Sequence, residues 1–358
     1  MNPHIRRWLV APALSLGLNK VFWRIYRLLG EPEPPLTPWG GGPVFGHFTD
    51  SQGHRYDLHH DLRSRLKPGW EDEFRPPLEI LTAPPKAVRV STLQSRRRQV
   101  AEVERFLNAQ GVSLMGRDVV EIGGYDGAAA YAMAQFGAGN VTATDMATAY
   151  IQGGIVTPEG LQAMARARAA FAGLVERDAA RRVSFAEDDI CASALAEESA
   201  DVVVSWEVLE HLERPLDAFQ SIARILRRGG VAFHEYNPFF AINGGHSLCT
   251  LDFLWGHARL SAPDFERYVA EIRPQEAELA LSFYAKGLNR MTLAALRRHV
   301  QESGLCLLCV VPFPDRRSIG ALSSDVLKDV TRHYPCADAL DLISPKVWVL
   351  LRKARDGT

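Results

Sequence analysis

The feature that most constrains the fold is an alternation of short apolar runs with amphipathic stretches between residues 118 and 236. Apolar runs of this length are typical of buried strands, whereas the stretches between them have helical periodicity. The five runs are residues 118–122, 140–144, 182–186, 201–205 and 230–236. Because strands that alternate with helices pair in parallel and carry helices on both faces, the pattern predicts a doubly wound α/β domain.

Two more apolar runs follow nearer the C-terminus, at residues 305–313 and 346–352, and predict two further strands around a helical insert. Between the two groups of strands lies a stretch that we expect to be irregular up to Arg290, followed by a helix over residues 291–303. The sequence therefore predicts seven strands in the α/β domain.

A glycine-rich turn follows the first strand and has the sequence Glu121-Ile-Gly-Gly-Tyr-Asp-Gly127. Glycine at positions 123 and 127 permits positive φ and a close approach of the backbone to a ligand. Open α/β sheets bind their ligands at this edge, outside the carboxyl ends of the strands. At the end of the next strand, Asp145 offers a carboxylate that can accept two hydrogen bonds from a ribose diol. These residues predict a nucleoside-containing ligand.

Residues 121–127 resemble motif I of the class I S-adenosylmethionine-dependent methyltransferases, which joins an acidic residue to a G-x-G-x-G turn. Tyr125 stands where that motif has its middle glycine. Four further features match the family in the same order. They are the ribose acid Asp145, an acid in segment 185–190, segment 201–212 and the turn at 226–233. The resemblance covers residues 118–236. A dinucleotide-binding dehydrogenase fits less well, because its G-x-G-x-x-G turn closes one residue later.

This resemblance implies a Rossmann-like, mostly parallel sheet of seven strands whose last strand is antiparallel, and S-adenosylmethionine as the cofactor. Asp189 matches the adenine-side acid better than Asp188, because the family places that acid four residues after a strand position such as Phe185. The residues implied in cofactor binding are Glu121, Gly123, Gly124, Tyr125, Gly127, Asp145, Met146, Asp189, Ile190, Trp206 and Glu207. Taken one by one, the glycines could form only a tight turn, and Asp145 could only cap a helix.

Histidines after strands four and five are the candidates for a general base, because removal of a hydroxyl proton near neutral pH suits an imidazole. We select His211 and His246 from a group that also contains His234 and His257. Glu207, Glu210 and His211 form E-x-x-E-H, which on a helix would present all three side chains on one side. With His246 they could bind a divalent cation, as in ubiquinone-biosynthesis and small-RNA methyltransferases, which these residues resemble. We favour a mechanism without a metal.

Three regions are expected along the chain. The pattern of apolar and basic residues in residues 1–30 predicts a basic amphipathic helix. This helix is expected either to pack on the catalytic domain or to contact a membrane peripherally. Residues 31–90 are rich in Pro and Gly, with a hairpin expected where residues 44–48 pair with 54–58. Residues 91–356 form the methyltransferase domain, in which the aromatic-rich segment 238–290 is expected to be a lid over the acceptor or, alternatively, a packing element.

The formal net charge of -1 does not favour nucleic acid as a partner. Five cysteines are scattered along the chain, and this distribution favours a reducing cytoplasm. The leading hypothesis is O-methylation of a hydroxylated small molecule or glycan. The expected location is the cytoplasm, with association at the cytoplasmic face of a membrane as the alternative. Two alternatives stay open: an RNA 2'-O-methyltransferase, which needs a basic groove, and a non-catalytic cofactor-binding scaffold at a membrane.

Overall fold

A computed structural model of the chain describes residues 39, 42–71, 86–146 and 158–354. The strands are β1 (Val44–Thr49), β2 (Arg55–His59), β3 (Asp118–Ile122), β4 (Asn140–Asp145), β5 (Val183–Glu187), β6 (Ala200–Trp206), β7 (Leu226–Tyr236), β8 (Cys306–Pro312) and β9 (Val347–Arg352). The helices are α1 (Leu62–Leu66), α2 (Lys86–Ala109), α3 (Ala128–Gln135), α4 (Pro158–Ala172), α5 (Arg177–Arg181), α6 (Pro215–Ile225), α7 (His246–Cys249), α8 (Gly256–Arg259), α9 (Ala262–Ile272), α10 (Ala277–Ser282), α11 (Leu293–Glu302), α12 (Arg316–Ala321), α13 (Ser324–His333) and α14 (Ala339–Ile343). The amphipathic helix predicted for residues 1–30 lies outside the described residues.

Seven strands form one mixed sheet in the order β5-β4-β3-β6-β7-β9-β8. Strand β3 pairs in parallel with β4 and β6, and β5 and β7 extend the parallel part on either side. The N–H of Gly229, near the start of β7, donates to the carbonyl of Lys353, which follows β9, and the N–H of Lys353 donates to the carbonyl of Gly230. Strand β9 therefore runs antiparallel to β7. The predicted Rossmann-like sheet is confirmed.

Strand β7 differs from the prediction at its start. It begins at Leu226 instead of Gly230, because the backbone passes through Gly229 with a φ of 76° and stays in the ladder. The register between β6 and β7 shifts between Ala200 and Val202: Ala200 is paired with Leu226 and Val202 with Val231, so β7 accommodates three extra residues there. The segment that the sequence indicated as a turn is thus the irregular first part of the strand.

Helices cover both faces of the sheet, which two neighbouring residues of β7 demonstrate. The ring of Phe233 contacts Phe106 of α2, with centroids 5.9 Å apart, and the ring of His234 contacts Phe219 of α6, with centroids 6.2 Å apart. Because successive side chains of a strand point to opposite faces, α2 and α6 lie on opposite sides of the sheet. The prediction of a doubly wound domain is confirmed.

The chain divides into two compact units, which are described separately. Of the described residues, 86–146, 158–235, 297–307 and 350–354 belong to the first, here called the sheet unit. Residues 39, 42–71, 236–296 and 308–349 belong to the second, here called the helical unit. All residues predicted to bind the cofactor lie in the sheet unit.

The helical unit contains the predicted hairpin, since β1 pairs antiparallel with β2. The stretch up to Arg290, expected to be irregular, instead contains helices α7 to α10. One reason is local capping: the Ser261 hydroxyl accepts the N–H of Asp264 at the start of α9. The aromatic side chains assigned to a lid are largely buried in this unit; Phe239, Phe240, Trp255, Phe265, Tyr268 and Tyr284 are at most 5% exposed. Their burial favours the packing alternative, and the lid role stays a prediction.

Across the part of the chain that the structure describes, no helix has the length and apolar character needed to span a bilayer.

Candidate functional site

The turn after β3 is closely surrounded by neighbouring side chains. Gly123 and Gly127 have φ of 74° and 78°, a region that side chains disfavour. A Cβ atom at Gly123 would lie 2.5 Å from Cγ2 of Val208, and one at Gly127 would lie 2.6 Å from Cζ of Phe185. Both positions therefore need glycine for conformation and for space, which agrees with their predicted place in a ligand-binding turn.

Tyr125 stands at the centre of this turn in a left-handed conformation. Its φ is 36°, which for a residue with a side chain costs on the order of 1 to 3 kcal/mol. The side chain is 58% exposed, so it does not fill the turn, and packing offsets little of that cost. A tyrosine in place of the family's middle glycine is thus accommodated with more than half of its side chain exposed.

Asp145 at the end of β4 is 7% exposed and is oriented by two backbone groups. Its Oδ2 accepts the N–H of Tyr125 at 2.8 Å, and its Oδ1 accepts the N–H of Met146 at 2.8 Å. A carboxylate has about four lone-pair directions, so each oxygen can accept one more hydrogen bond. This is the capacity that a ribose diol requires.

Glu121, one strand position before the turn, is buried within the sheet unit, with 3% of its surface exposed. Its Oε2 has no hydrogen-bond partner among the described residues. Burial raises the pKa of Glu121 to about 8; the carboxylates of Asp126 and Asp145 act in the same direction, and the guanidinium groups of Arg96 and Arg168 act against them. A buried carboxylate oxygen without a partner is costly, and a ligand cation such as an ammonium group would satisfy it.

Trp206 is the last residue of β6, the strand next to β3, and is 8% exposed. Its indole N–H is likewise without an acceptor in the described ranges. The following residue, Glu207, is exposed, has a φ of 56° and donates its N–H to the carbonyl of Glu235 at 2.8 Å. Neighbouring strands β3 and β6 thus each carry, near their carboxyl ends, a buried polar atom that a ligand could satisfy.

Asp189 and Ile190 follow β5, on the predicted adenine side. The Oδ1 atom of Asp189 accepts the N–H of Cys191 at 2.9 Å and so caps the 3₁₀ turn Ile190–Ala192. Arg214 Nη2 lies 3.7 Å from Oδ2 of Asp189, and Ile190 is 3% exposed. Asp189 therefore has a structural role as a cap, and its contact with adenine stays a prediction.

The helix expected to carry Glu207, Glu210 and His211 is absent from the described structure at this place. Glu207 has left-handed backbone angles, and only a single 3₁₀ turn, Leu209–His211, follows it before α6. The expectation that the three side chains share one face of an α-helix is wrong. Glu207 makes the last ladder bond to β7 through its N–H, and its left-handed backbone then turns the chain into the 3₁₀ turn instead of an α-helix.

The two histidines selected as bases lie in different units. His211 is half-buried at the end of the 3₁₀ turn in the sheet unit. His246 begins α7 in the helical unit with a φ of 52°, and its ring contacts Phe283 at a centroid distance of 5.8 Å. A base role for either residue, and a metal site that combines donors from both units, remain predictions.

The other two histidines of the group are structural. Burial lowers the pKa of His234 to about 3 and that of His257 to about 4. The Nδ1 atom of His234 lies 2.8 Å from the Ser205 hydroxyl, and Nε2 of His257 lies 2.7 Å from the Phe239 carbonyl. Both are fully buried side chains and are poorly placed to exchange protons with a substrate.

Arg168 of α4 was missed by the sequence analysis. Its Nε donates to the carbonyl of Tyr125 at 2.8 Å, and its guanidinium lies 4.4 Å above the ring of Phe185. No local signal marks Arg168, because Tyr125 lies 43 positions before it and Phe185 lies on β5. Only the packing of α4 reveals the contact.

A family model described as a methyltransferase domain matches residues 93–310, more than half of the chain. An uncharacterized methyltransferase of Mycobacterium ulcerans is 30% identical over 157 residues, which cover 44% of this chain and 53% of that protein. One from Mycolicibacterium paratuberculosis is 29% identical over 219 residues, covering 61% of this chain and 74% of that protein. The chain thus spans about half the length of the first of these curated relatives.

Among solved structures, an S-adenosylmethionine-dependent methyltransferase of Mesorhizobium loti has 18% sequence identity and a TM-score of 0.42, with 69% of this chain and 96% of that chain covered. A phospholethanolamine N-methyltransferase of Haemonchus contortus, solved with phosphomonomethylethanolamine and S-adenosylhomocysteine, has 18% identity and a TM-score of 0.43, with 72% of this chain and 53% of that chain covered.

Proposed function

The chain belongs to the methyltransferase-domain family, as the class I resemblance predicted, and from this premise we propose that it binds S-adenosylmethionine at residues 121–127 and methylates a hydroxyl group of a small molecule or glycan. The observation that carries the proposal is the buried Oε2 of Glu121, which has no partner in the described residues and lies beside a glycine turn and the ribose-type acid Asp145. These residues fit a ligand that combines an ammonium group with a nucleoside.

When bound, S-adenosylmethionine supplies a methyl group made reactive by a positively charged sulfur. Glu121 would accept hydrogen bonds from the ammonium group, and Asp145 would accept them from the ribose hydroxyls. His211 would take the proton of the acceptor hydroxyl as the C–O bond forms and the bond between the methyl carbon and sulfur breaks, with a neutral thioether as the leaving group; His246 is the second candidate for this base. Alignment of the acceptor oxygen with the methyl group is the main requirement of such a displacement reaction.

The function is tested with S-adenosylmethionine labelled on its methyl group and a panel of hydroxylated acceptors, including glycans, phenols and RNA. We expect labelled product from a small hydroxylated acceptor and none from RNA, with the Asp145→Ala variant as the control that should lose transfer. Transfer to a ribose 2'-hydroxyl of RNA would establish the alternative enzyme. Tight binding with no transfer to any acceptor would support a non-catalytic scaffold and contradict the proposal.

Cofactor affinity is expected to depend on pH through Glu121. The pKa of this carboxyl is about 8 in the cofactor-free protein, so below pH 8 a proton must leave before the carboxylate can pair with an ammonium group. Affinity should therefore rise between pH 6 and 7.5 by up to about tenfold per pH unit, and binding should release up to about one proton. Calorimetry in two buffers of different ionisation enthalpy measures both.

The matched control is Glu121→Gln, which keeps the size of the side chain but cannot titrate. Its cofactor affinity should be lower at pH 7.5 and nearly independent of pH over the same range. If the variant retains the slope of the wild type, another group is responsible and the role of Glu121 is contradicted.

We also propose that residues 1–30 attach the enzyme to the cytoplasmic face of a membrane, a proposal that rests on their sequence alone. Removing them should leave cofactor affinity unchanged and reduce co-sedimentation with anionic vesicles. Replacing Lys20, Arg24 and Arg27 by glutamine should reduce vesicle binding without truncation. An insoluble or unfolded truncated protein would instead show that residues 1–30 pack on the catalytic domain.

A further inference from the structure

The backbone of Tyr125 is fixed by contacts on both sides of the residue. Its N–H donates to Oδ2 of Asp145 at 2.8 Å, and its carbonyl accepts from Nε of Arg168 at 2.8 Å. The first contact comes from the end of β4 and the second from α4. Both are made to main-chain atoms, so they act on the conformation of the turn and not on the tyrosine ring.

The guanidinium of Arg168 is itself oriented by the other end of the turn. It lies 4.4 Å above the ring of Phe185, whose Cζ is the atom that a Cβ at Gly127 would meet at 2.6 Å. Phe185 is in turn packed against Tyr131 of α3, with ring centroids 6.0 Å apart. Arg168 thus connects the centre of the turn with the aromatic residue that borders its last glycine.

The contact with Arg168 acts on a residue whose backbone is strained. Tyr125 has a φ of 36°, a conformation that is strained for a residue with a side chain. The N–H of Gly127 donates to the carbonyl of Gly124 at 2.7 Å and closes the turn around Tyr125, and the bond from Arg168 is a second constraint on the same residue. A change of φ at Tyr125 rotates its carbonyl relative to its N–H, so the bonds to Arg168 and to Asp145 could not both be kept. If the bond to Asp145 were the one lost, one of the two bonds that orient this carboxylate would be missing. A contact that opposes this change keeps the carboxylate ready for a ribose.

We propose that Arg168 is a positioning residue for the cofactor site: through its bond to the Tyr125 carbonyl it maintains the left-handed turn and thereby the orientation of the Asp145 carboxylate. The inference rests on the proposed binding of S-adenosylmethionine for its functional consequence. The structural part, that Arg168 keeps the Tyr125 N–H on Asp145, concerns the cofactor-free protein.

The first measurement needs no cofactor. Amide hydrogen exchange reports how often the Tyr125 N–H leaves Asp145, and Arg168→Met should speed this exchange about three- to tenfold, the effect of one lost hydrogen bond. The matched control is Arg166→Met on the same helix, two residues away and therefore on a different side. It should leave the exchange unchanged. Melting temperatures verify that both variants fold.

The second measurement is the Kd of S-adenosylmethionine and of the demethylated product by calorimetry. Arg168→Met should weaken both about three- to tenfold. Arg168→Lys should weaken them nearly as much, because lysine keeps the charge but lacks the planar group that bonds the carbonyl while lying on Phe185. If lysine restores full affinity, Arg168 acts through its charge, for example on Glu121, and the proposal is overturned.

A double-mutant cycle with Tyr125→Gly gives the third test. Glycine adopts the left-handed conformation without strain, so the contact with Arg168 should no longer be needed. In the Tyr125→Gly background, Arg168→Met should change the Kd less than about twofold. An equal effect in both backgrounds would overturn the proposal. If wild-type protein does not bind S-adenosylmethionine at all, the proposed function fails, while the exchange measurement still decides the role of Arg168.

Discussion

Replacing His211 by alanine is expected to lower kcat about 10²- to 10⁴-fold, the usual contribution of a general base, while the Kd of S-adenosylmethionine stays unchanged. His211 follows β6 on a 3₁₀ turn of the sheet unit, the same unit that carries all of the predicted cofactor residues. A base would act only on the acceptor hydroxyl, so the loss should appear in turnover and not in cofactor binding. Steady-state kinetics and calorimetry measure the two quantities.

His246→Ala is the parallel variant for the second candidate base, and His234→Asn is the control for a structural histidine. Because His234 is buried against Phe219 and bonded to Ser205, its variant should lose stability more than turnover of the folded enzyme. Unchanged kcat in both His211→Ala and His246→Ala would contradict a histidine base. The remaining activity would then require an acceptor that is already deprotonated.

A metal ligand at His211 would produce a similar loss, so the wild-type assay is repeated after treatment with a chelator. Turnover that survives chelation assigns His211 as a base, in line with the mechanism that we favour. Turnover that is lost and then restored by magnesium, manganese or zinc assigns a metal that polarises the acceptor. Cofactor binding should be unaffected by chelation in either case.

Asp145→Ala is expected to weaken S-adenosylmethionine binding by about 1.5 to 3 kcal/mol, roughly 10- to 150-fold, because a charge-assisted hydrogen bond to the ribose is lost. The structure adds a second cause: the variant also removes the acceptor of the Tyr125 and Met146 N–H groups. Calorimetry with S-adenosylmethionine and with the demethylated product measures the change. Because Asp145 lies at the carboxyl end of β4 and not in the middle of the sheet, the variant should remain folded, which a melting curve verifies.

Asp145→Asn is the matched variant, since it keeps the size of the side chain and one acceptor oxygen. Its affinity should lie between those of the wild type and the alanine variant. A Kd that is unchanged in the alanine variant would show that the ribose is bound elsewhere and would contradict the assignment of Asp145.

The glycine turn after β3 was predictable because its determinants are local. A buried strand, glycines at positions 123 and 127 and an acid at the end of the next strand are all visible within 28 residues, from Asp118 to Asp145. The structure confirms these elements and adds the reason for each glycine, namely the side chains of Val208 and Phe185 that exclude a Cβ. The same argument failed for Glu207, Glu210 and His211: their spacing fits an α-helix, but Glu207 has a left-handed backbone and only a 3₁₀ turn follows it.

The sequence by itself determined the seven strands of the sheet, the family and the glycine turn after β3, because periodicity, glycine and strand-end acids act over short distances along the chain. Tertiary structure alone decided the raised pKa of Glu121, which requires burial from all sides, and the burial of the aromatic residues of segment 238–290 in a core. It also decided the contact of Arg168 with Tyr125, which joins residues 43 positions apart. These properties depend on which surfaces meet after folding, and no single stretch of sequence records that.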